Sequence, residues 1–143
     1  MNLFKKVLSR SFIRKVVLFG VTGGIATLID LAFFNLFFKL TSVFVLSRIL
    51  GILISIIFNF NFNRNVTFRA KDGSIGKQGI KFLVLYGISM SLNVLVSKGA
   101  YSLMEPSTLS ANIAAVLGLA ISIPVSFFGA LFWVFRKPIS KKS

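Results

Sequence analysis

The sequence contains no cysteine and no histidine. Disulfides, thiolate or imidazole metal centres, and Ser-His or Cys-His nucleophilic catalysis are therefore excluded. Acids are scarce as well: Asp30, Asp72 and Glu105 are the only carboxylates, which leaves little material for paired-carboxylate chemistry. No cofactor or metal is expected, and the chain does not read as an enzyme. Against the three acids stand 17 lysines and arginines, giving a formal charge of +14 over 143 residues. Such a charge would suit a nucleic-acid binder. However, 55% of the residues are hydrophobic, and the bases border long apolar runs, so no nucleic-acid partner is expected. The composition describes one small integral membrane domain.

A transmembrane helix needs about 20 mostly apolar residues to cross about 30 Å of hydrocarbon. Four segments qualify: Val16–Phe38, Val43–Phe62, Phe82–Leu103 and Leu109–Phe135. The first run is too long for a signal-peptide core and lacks an A-x-A site, so cleavage is not expected. Lys5, Lys6, Arg10, Arg14 and Lys15 precede the first span. Arg64, Arg69, Lys71, Lys77 and Lys81 surround the central loop, and Arg136, Lys137, Lys141 and Lys142 follow the last span. The two other loops hold only Lys39 and Glu105. The positive-inside rule then places both termini and the central loop in the cytoplasm. Ahead of the first span, Leu3, Phe4, Val7, Leu8 and Phe12 recur at helical spacing opposite Lys5, Lys6 and Arg10. That pattern predicts an amphipathic helix over 1–14 lying on anionic membrane lipid.

A shift of 67 residues aligns the two halves without a gap. Gly20 falls on Gly87, Leu28 on Leu95, Gly51 on Gly118, Ile54-Ser55-Ile56 on Ile121-Ser122-Ile123, and Phe68-Arg69 on Phe135-Arg136. The expected fold is therefore all-α: four transmembrane helices forming two tandem hairpins of parallel topology. The hairpins should cover 15–70 and 81–137, joined by a cytoplasmic loop over 71–80 and followed by a basic tail over 138–143. Small residues four apart (Gly20 and Gly24, Gly51 and Ser55, Gly118, Ser122 and Ser126) predict seams where helix backbones approach.

Three charges fall inside the spans: Asp30, Arg48 and Lys98. All three reach a similar level in the outer half of the bilayer, where an unpaired charge costs a few kcal/mol, so function is the default reading. Asp30 is short and should pair with Arg48 or Lys98; alternatively, the two long bases snorkel to the outer headgroups. The second span ends in a denser polar run, Phe58-Asn59-Phe60-Asn61-Phe62-Asn63-Arg64-Asn65-Val66-Thr67-Phe68. Strict alternation resembles a strand, but an open strand cannot sit in hydrocarbon, so a helix is expected. On a helix Asn59, Asn63 and Thr67 form one row, and Asn61 stands three before Arg64. Carboxamides suit sugar hydroxyls because they both donate and accept, while a guanidinium suits a phosphate. The second half ends Ser126-Phe127-Phe128-Gly129-Ala130-Leu131-Phe132-Trp133-Val134-Phe135. It keeps the aromatics and loses every Asn, which makes the expected site asymmetric and built mainly on the first hairpin. Thr27, Asn35, Ser89, Ser91, Asn93, Ser97 and Asn112 are expected to form interhelical hydrogen bonds or to line a path.

Phe19-Gly20, Ile29-Asp30, Phe58-Asn59-Phe60, Asn63-Arg64, Thr67-Phe68 and Trp133-Val134-Phe135 stand in the order and spacing of a known family. Over roughly residues 12–137 the chain resembles the GtrA family of small four-helix membrane proteins. The resemblance implies movement of a polyprenyl-phosphate-linked monosaccharide to the outer leaflet of the bacterial inner membrane, for cell-envelope glycosylation. It also implies a polyprenyl-phosphate glycosyltransferase as partner. In that family the second aromatic ending often repeats the Asn pattern, where this chain has Ser126 and Ala130. On this reading Arg64, assisted by Arg69 and Arg136, receives the phosphate. Asn59, Asn61 and Asn63, with Thr67 in the same row, contact the sugar, and Asp30 with Arg48 or Lys98 guides exit. Four short helices enclose little space, so a homodimer or higher oligomer is plausible. A membrane adaptor for the transferase is the alternative reading, and a small-molecule or cation exporter a more distant one.

Overall fold

The backbone of an apolar run has no hydrogen-bond partner in hydrocarbon except its own helix, and all four runs are helical. A computed structural model describes residues 9–137, with Val45 described by its backbone alone. Helix α1 spans Arg10–Thr41, α2 Phe44–Phe62, α3 Ile75–Ser102 and α4 Thr108–Gly129. Helices α2 and α4 each continue into one π-helical turn, Asn63–Thr67 and Ala130–Val134. There is no strand among the described residues, and the alternating Phe/Asn run is helical. All four helices are long and apolar enough to cross a membrane. The protein is an all-α, multi-pass membrane protein.

The chain divides into two units, Met1–Lys71 and Asp72–Ser143. In the first, α1 packs on α2; in the second, α3 packs on α4. The hydroxyl of Ser9 accepts the Phe12 N–H at 3.2 Å and starts α1. Residues 1–8 of the expected interfacial helix and the tail 138–143 lie outside the described residues. Arg10–Arg14 forms the opening of α1, continuous with the span. In the second unit Ser74 caps α3, so the helix already occupies most of the stretch expected as loop.

Phe68, Phe82, Leu85, Phe127 and Phe135 are buried towards the π-turn ends, but along the rest of the spans the buried residues are small and often polar. Thr22, Ala26, Ser47 and Ser55 are buried in the first unit, and Ser89, Ala114 and Ser122 in the second. Large aliphatics such as Leu28, Leu40, Leu95 and Leu103 face outward. That inverts a soluble core, because lipid tails are as apolar as leucine and helices associate through close packing. A Cβ on Gly51 would stand 2.9 Å from the Asp30 carbonyl oxygen and 3.1 Å from the Phe34 nitrogen. A Cβ on Gly118 would meet Ser97 Oγ and come within 2.6 Å of the Asn93 carbonyl. These two glycines, with Ser55 and Ser122, are the seams. Gly20 and Gly24 are not: nothing lies within 4 Å of a Cβ at either. On α1 the inward row is the buried Thr22 and Ala26 with the half-buried Asp30, and a helical offset of two residues, about 200°, turns Gly20 and Gly24 to the opposite side.

The shift of 67 residues holds feature by feature. The π turn at Asn63–Thr67 recurs at Ala130–Val134, Phe68 N–H donates to the Asn63 carbonyl as Phe135 N–H does to that of Ala130, both at 2.9 Å, and the Gly51 contact recurs at Gly118.

Candidate functional site

Two of the three charges within the spans meet. Arg48 donates to Asp30, with nitrogen–oxygen distances of 2.9 and 3.0 Å to the two carboxylate oxygens. Arg48 is the fifth residue of α2. It reaches towards Asp30 instead of snorkelling to the nearer helix end, and its guanidinium also lies 5.8 Å from the centre of the Phe34 ring. Phe34, Phe38 and Phe44 pack edge and face at the adjacent turn. Gly51 is what admits the carboxylate, since a Cβ there would stand 2.9 Å from Asp30 Oδ1. Lys98, the other partner considered, belongs to the second unit, is exposed, and forms no ion pair among the described residues.

The polar run closes the first hairpin through its π turn. Asn63 Nδ2 donates to Asn59 Oδ1 at 2.5 Å, which realises the expected row. Asn63 and Thr67 are fully buried, and Asn63 Oδ1 and Thr67 Oγ1 have no hydrogen-bond partner among the described residues. Asn61 bonds within its own helix, to the Ile57 carbonyl at 2.8 Å. The Arg64 guanidinium is engaged inside the unit, donating to the Lys71 carbonyl at 2.9 Å and, more weakly, to Asn65 Oδ1. Arg69 takes a left-handed backbone, φ 50°. The following Ala70 N–H returns to the Arg64 carbonyl six residues back at 2.8 Å, one residue wider than the six-to-one closure of a Schellman ending, and glycine normally occupies the left-handed position at such a helix end. Arg69 is exposed, as is Arg136 of the second unit.

Because the second unit repeats this packing with other residues, it serves as an internal control. Where the first unit buries Asn63 and Thr67, the second buries Ala130 and Val134, in the same turn and as deeply. Where the first has Asp30 and Arg48, the second has Ser97 and Ala115. The hairpin folds without these polar groups, so packing does not explain their presence. An unpaired buried acceptor costs about 1–3 kcal/mol, a burden that the apolar pair avoids.

Sequence reasoning missed the π turns, which no local propensity marks, and the cations that complete them. Arg14 donates to the Val66 carbonyl at 3.3 Å, and Lys81 to the Trp133 carbonyl at 3.5 Å. These pairs are related by the same shift, 14 to 81 and 66 to 133. Each cation of one helix start caps the open carbonyl end of its neighbour, where the helix dipole favours positive charge. The repeat could have exposed them, since both positions are basic. Of the seven polar residues expected to bridge helices or line a path, Thr27 and Asn35 bond within their own helix, to the Gly23 and Leu31 carbonyls, while Ser89 and Ser97 Oγ are buried without a partner among the described residues. Asn93 does bridge, donating to Ser122 Oγ at 3.3 Å across α3 and α4.

A search of curated proteins finds no match. A family model described as GtrA/DPMS, transmembrane domain, matches residues 18–135, a stretch that includes both hairpins. With four apolar helices, the repeated π turns and the polar end of the first hairpin, the chain belongs to the GtrA family of membrane proteins.

Proposed function

We propose that the protein moves a polyprenyl-phosphate-linked monosaccharide from the cytoplasmic to the outer leaflet of a bacterial inner membrane, where the sugar serves cell-envelope glycosylation. The observation that carries this reading is the buried, unpartnered pair Asn63 Oδ1 and Thr67 Oγ1, standing where the second unit needs only Ala130 and Val134. Polar groups that the fold does not require, kept at the end of a transmembrane helix, suit a ligand whose hydroxyls must exchange water for fixed partners. In this mechanism both hairpin ends carrying π turns face the cytoplasm, as the flanking bases require. The exposed Arg69 meets the phosphate first, and Arg64 follows by exchanging the Lys71 carbonyl for it. Asn59 and Asn61 offer carboxamides to the sugar, and opening of the π turn adds Asn63 and Thr67. The prenyl chain stays in lipid throughout. The Asp30–Arg48 pair acts at the outer level as the exit, with Lys98 as a cation there. A polyprenyl-phosphate glycosyltransferase supplies the loaded carrier or consumes it, and a homo-oligomer would enlarge the path.

The ion pair disfavours the exporter reading. Asp30 is the only carboxylate within the spans, and it is already engaged by Arg48 at 2.9 Å. Reconstitution tests transport against the adaptor reading. Purified protein in liposomes containing a short-chain polyprenyl-phosphate sugar should accelerate its exposure on the opposite leaflet, and Asn63→Ala or Arg64→Ala should abolish that acceleration. Unaccelerated exposure with intact transferase binding would favour the adaptor.

A further inference from the structure

The second unit holds a concavity of about 670 Å³ at the π-turn end of its hairpin. Lys77 and Lys81, one turn apart on α3, line it from one side, and Arg136 and Lys137, just past the π turn that follows α4, from the other. Only Asp72 opposes these four cations, so the lining carries a net charge of +3. Trp133 and Phe132 form an apolar wall, exposed at 41% and 65%. Lys81 Nζ lies 5.8 Å from the centre of the Trp133 ring, which places a cation directly beside that wall. Ser74 and the start of α3 complete the lining.

We propose that this concavity is a binding site for a phosphate group, carried by the headgroup of a membrane lipid. The cations converge from two chain segments on one recess, whereas bases that serve only topology can spread over the surface. Lysines act there as point charges, and Arg136 adds a planar fork of donors suited to phosphate oxygens. The volume exceeds that of a bare phosphate, which leaves room for the group that carries it, and the aromatic wall offers apolar contact to the lipid beyond the phosphate. The site is built entirely from the second unit. It goes beyond the transport reading, because it would bind its ligand whether or not the protein moves one.

Trp133 is the single tryptophan of the chain, so its fluorescence reports on this recess alone. The full-length protein is reconstituted in phosphatidylcholine vesicles, and chain-brominated phosphatidic acid is titrated in as a quencher, with brominated phosphatidylcholine as the comparison. Phosphatidic acid should quench Trp133 at a much lower mole fraction. The double variant Lys77→Gln/Lys137→Gln should weaken that preference about thirtyfold, as expected for two cations at an anionic surface. Both side chains are exposed, so their loss leaves the fold intact. Arg10→Gln/Lys71→Gln, which removes two exposed bases of the first unit, should leave the preference unchanged. Relief of the quenching by millimolar inorganic phosphate would still support the phosphate site and assign its ligand to solution. Equal quenching by both lipids, or an equal loss in both double variants, would overturn the proposal in favour of a diffuse basic surface.

Discussion

Replacing Asp30 by serine gives the first unit the residue that the second already carries at the equivalent position, Ser97. The change strands Arg48, whose guanidinium sits 2.9 Å from the carboxylate. A lone arginine near the middle of a transmembrane helix costs about 2.5–3.5 kcal/mol on insertion scales. The Arg48 side chain is 41% exposed and only one turn inside α2, so it can re-aim towards the helix end, and a loss of about 2 kcal/mol is expected. Adding Arg48→Ala copies the second unit completely, since Ala115 stands there. The double variant should return to within about 1 kcal/mol of the wild type, because removing both partners leaves no stranded charge. The coupling is read from a double-mutant cycle, with unfolding in mixed micelles driven by rising detergent and followed by helical circular dichroism. A double variant no more stable than Asp30→Ser would refute the pairing argument. Liposome transport then separates the roles: a stable double variant that moves no lipid-linked sugar assigns the pair to function, and full transport assigns it to stability.

Other substitutions probe the remaining features. Gly51→Ala forces a Cβ against the Asp30 backbone at 2.9 Å and should destabilise by about 1–3 kcal/mol. Gly20→Ala meets nothing within 4 Å and should be neutral or stabilising by up to about 1 kcal/mol; the same unfolding assay compares them, and equal losses would show the seam to be misplaced. Asn63→Ala with Thr67→Val copies the Ala130 and Val134 packing, so thermal stability should hold or rise by about 1 kcal/mol while transport is lost. Retained transport would remove the polar row from the site. Arg69→Gly relieves the left-handed backbone at φ 50°, raising stability by about 1 kcal/mol. Under the proposed mechanism it also slows uptake of the lipid-linked sugar, a divergence that a purely structural arginine would not give.

The sequence by itself determined the membrane character, the four spans and the repeat. Each depends on one-dimensional quantities: the length of an apolar run against bilayer thickness, and identity at a fixed offset. It also brought Asp30 to a short choice of partners and placed Asn59, Asn63 and Thr67 in one row, because helical spacing alone sets which side chains share a face. Tertiary structure decided what depends on the rotation of one helix against another. Gly20 and Gly24 look like a seam as much as Gly51 and Ser55 do, yet only the packed hairpin shows that α1 turns Thr22, Ala26 and Asp30 inward. It likewise gave Asp30 its partner, because α2 packs on α1 with Arg48 aimed at the carboxylate. The π turns were invisible for a related reason. One extra residue in a turn is fixed by the need to return Phe68 and Phe135 to the interior and to find cations for the freed carbonyls, and Arg14 and Lys81 stand 52 residues away in sequence from the groups they cap.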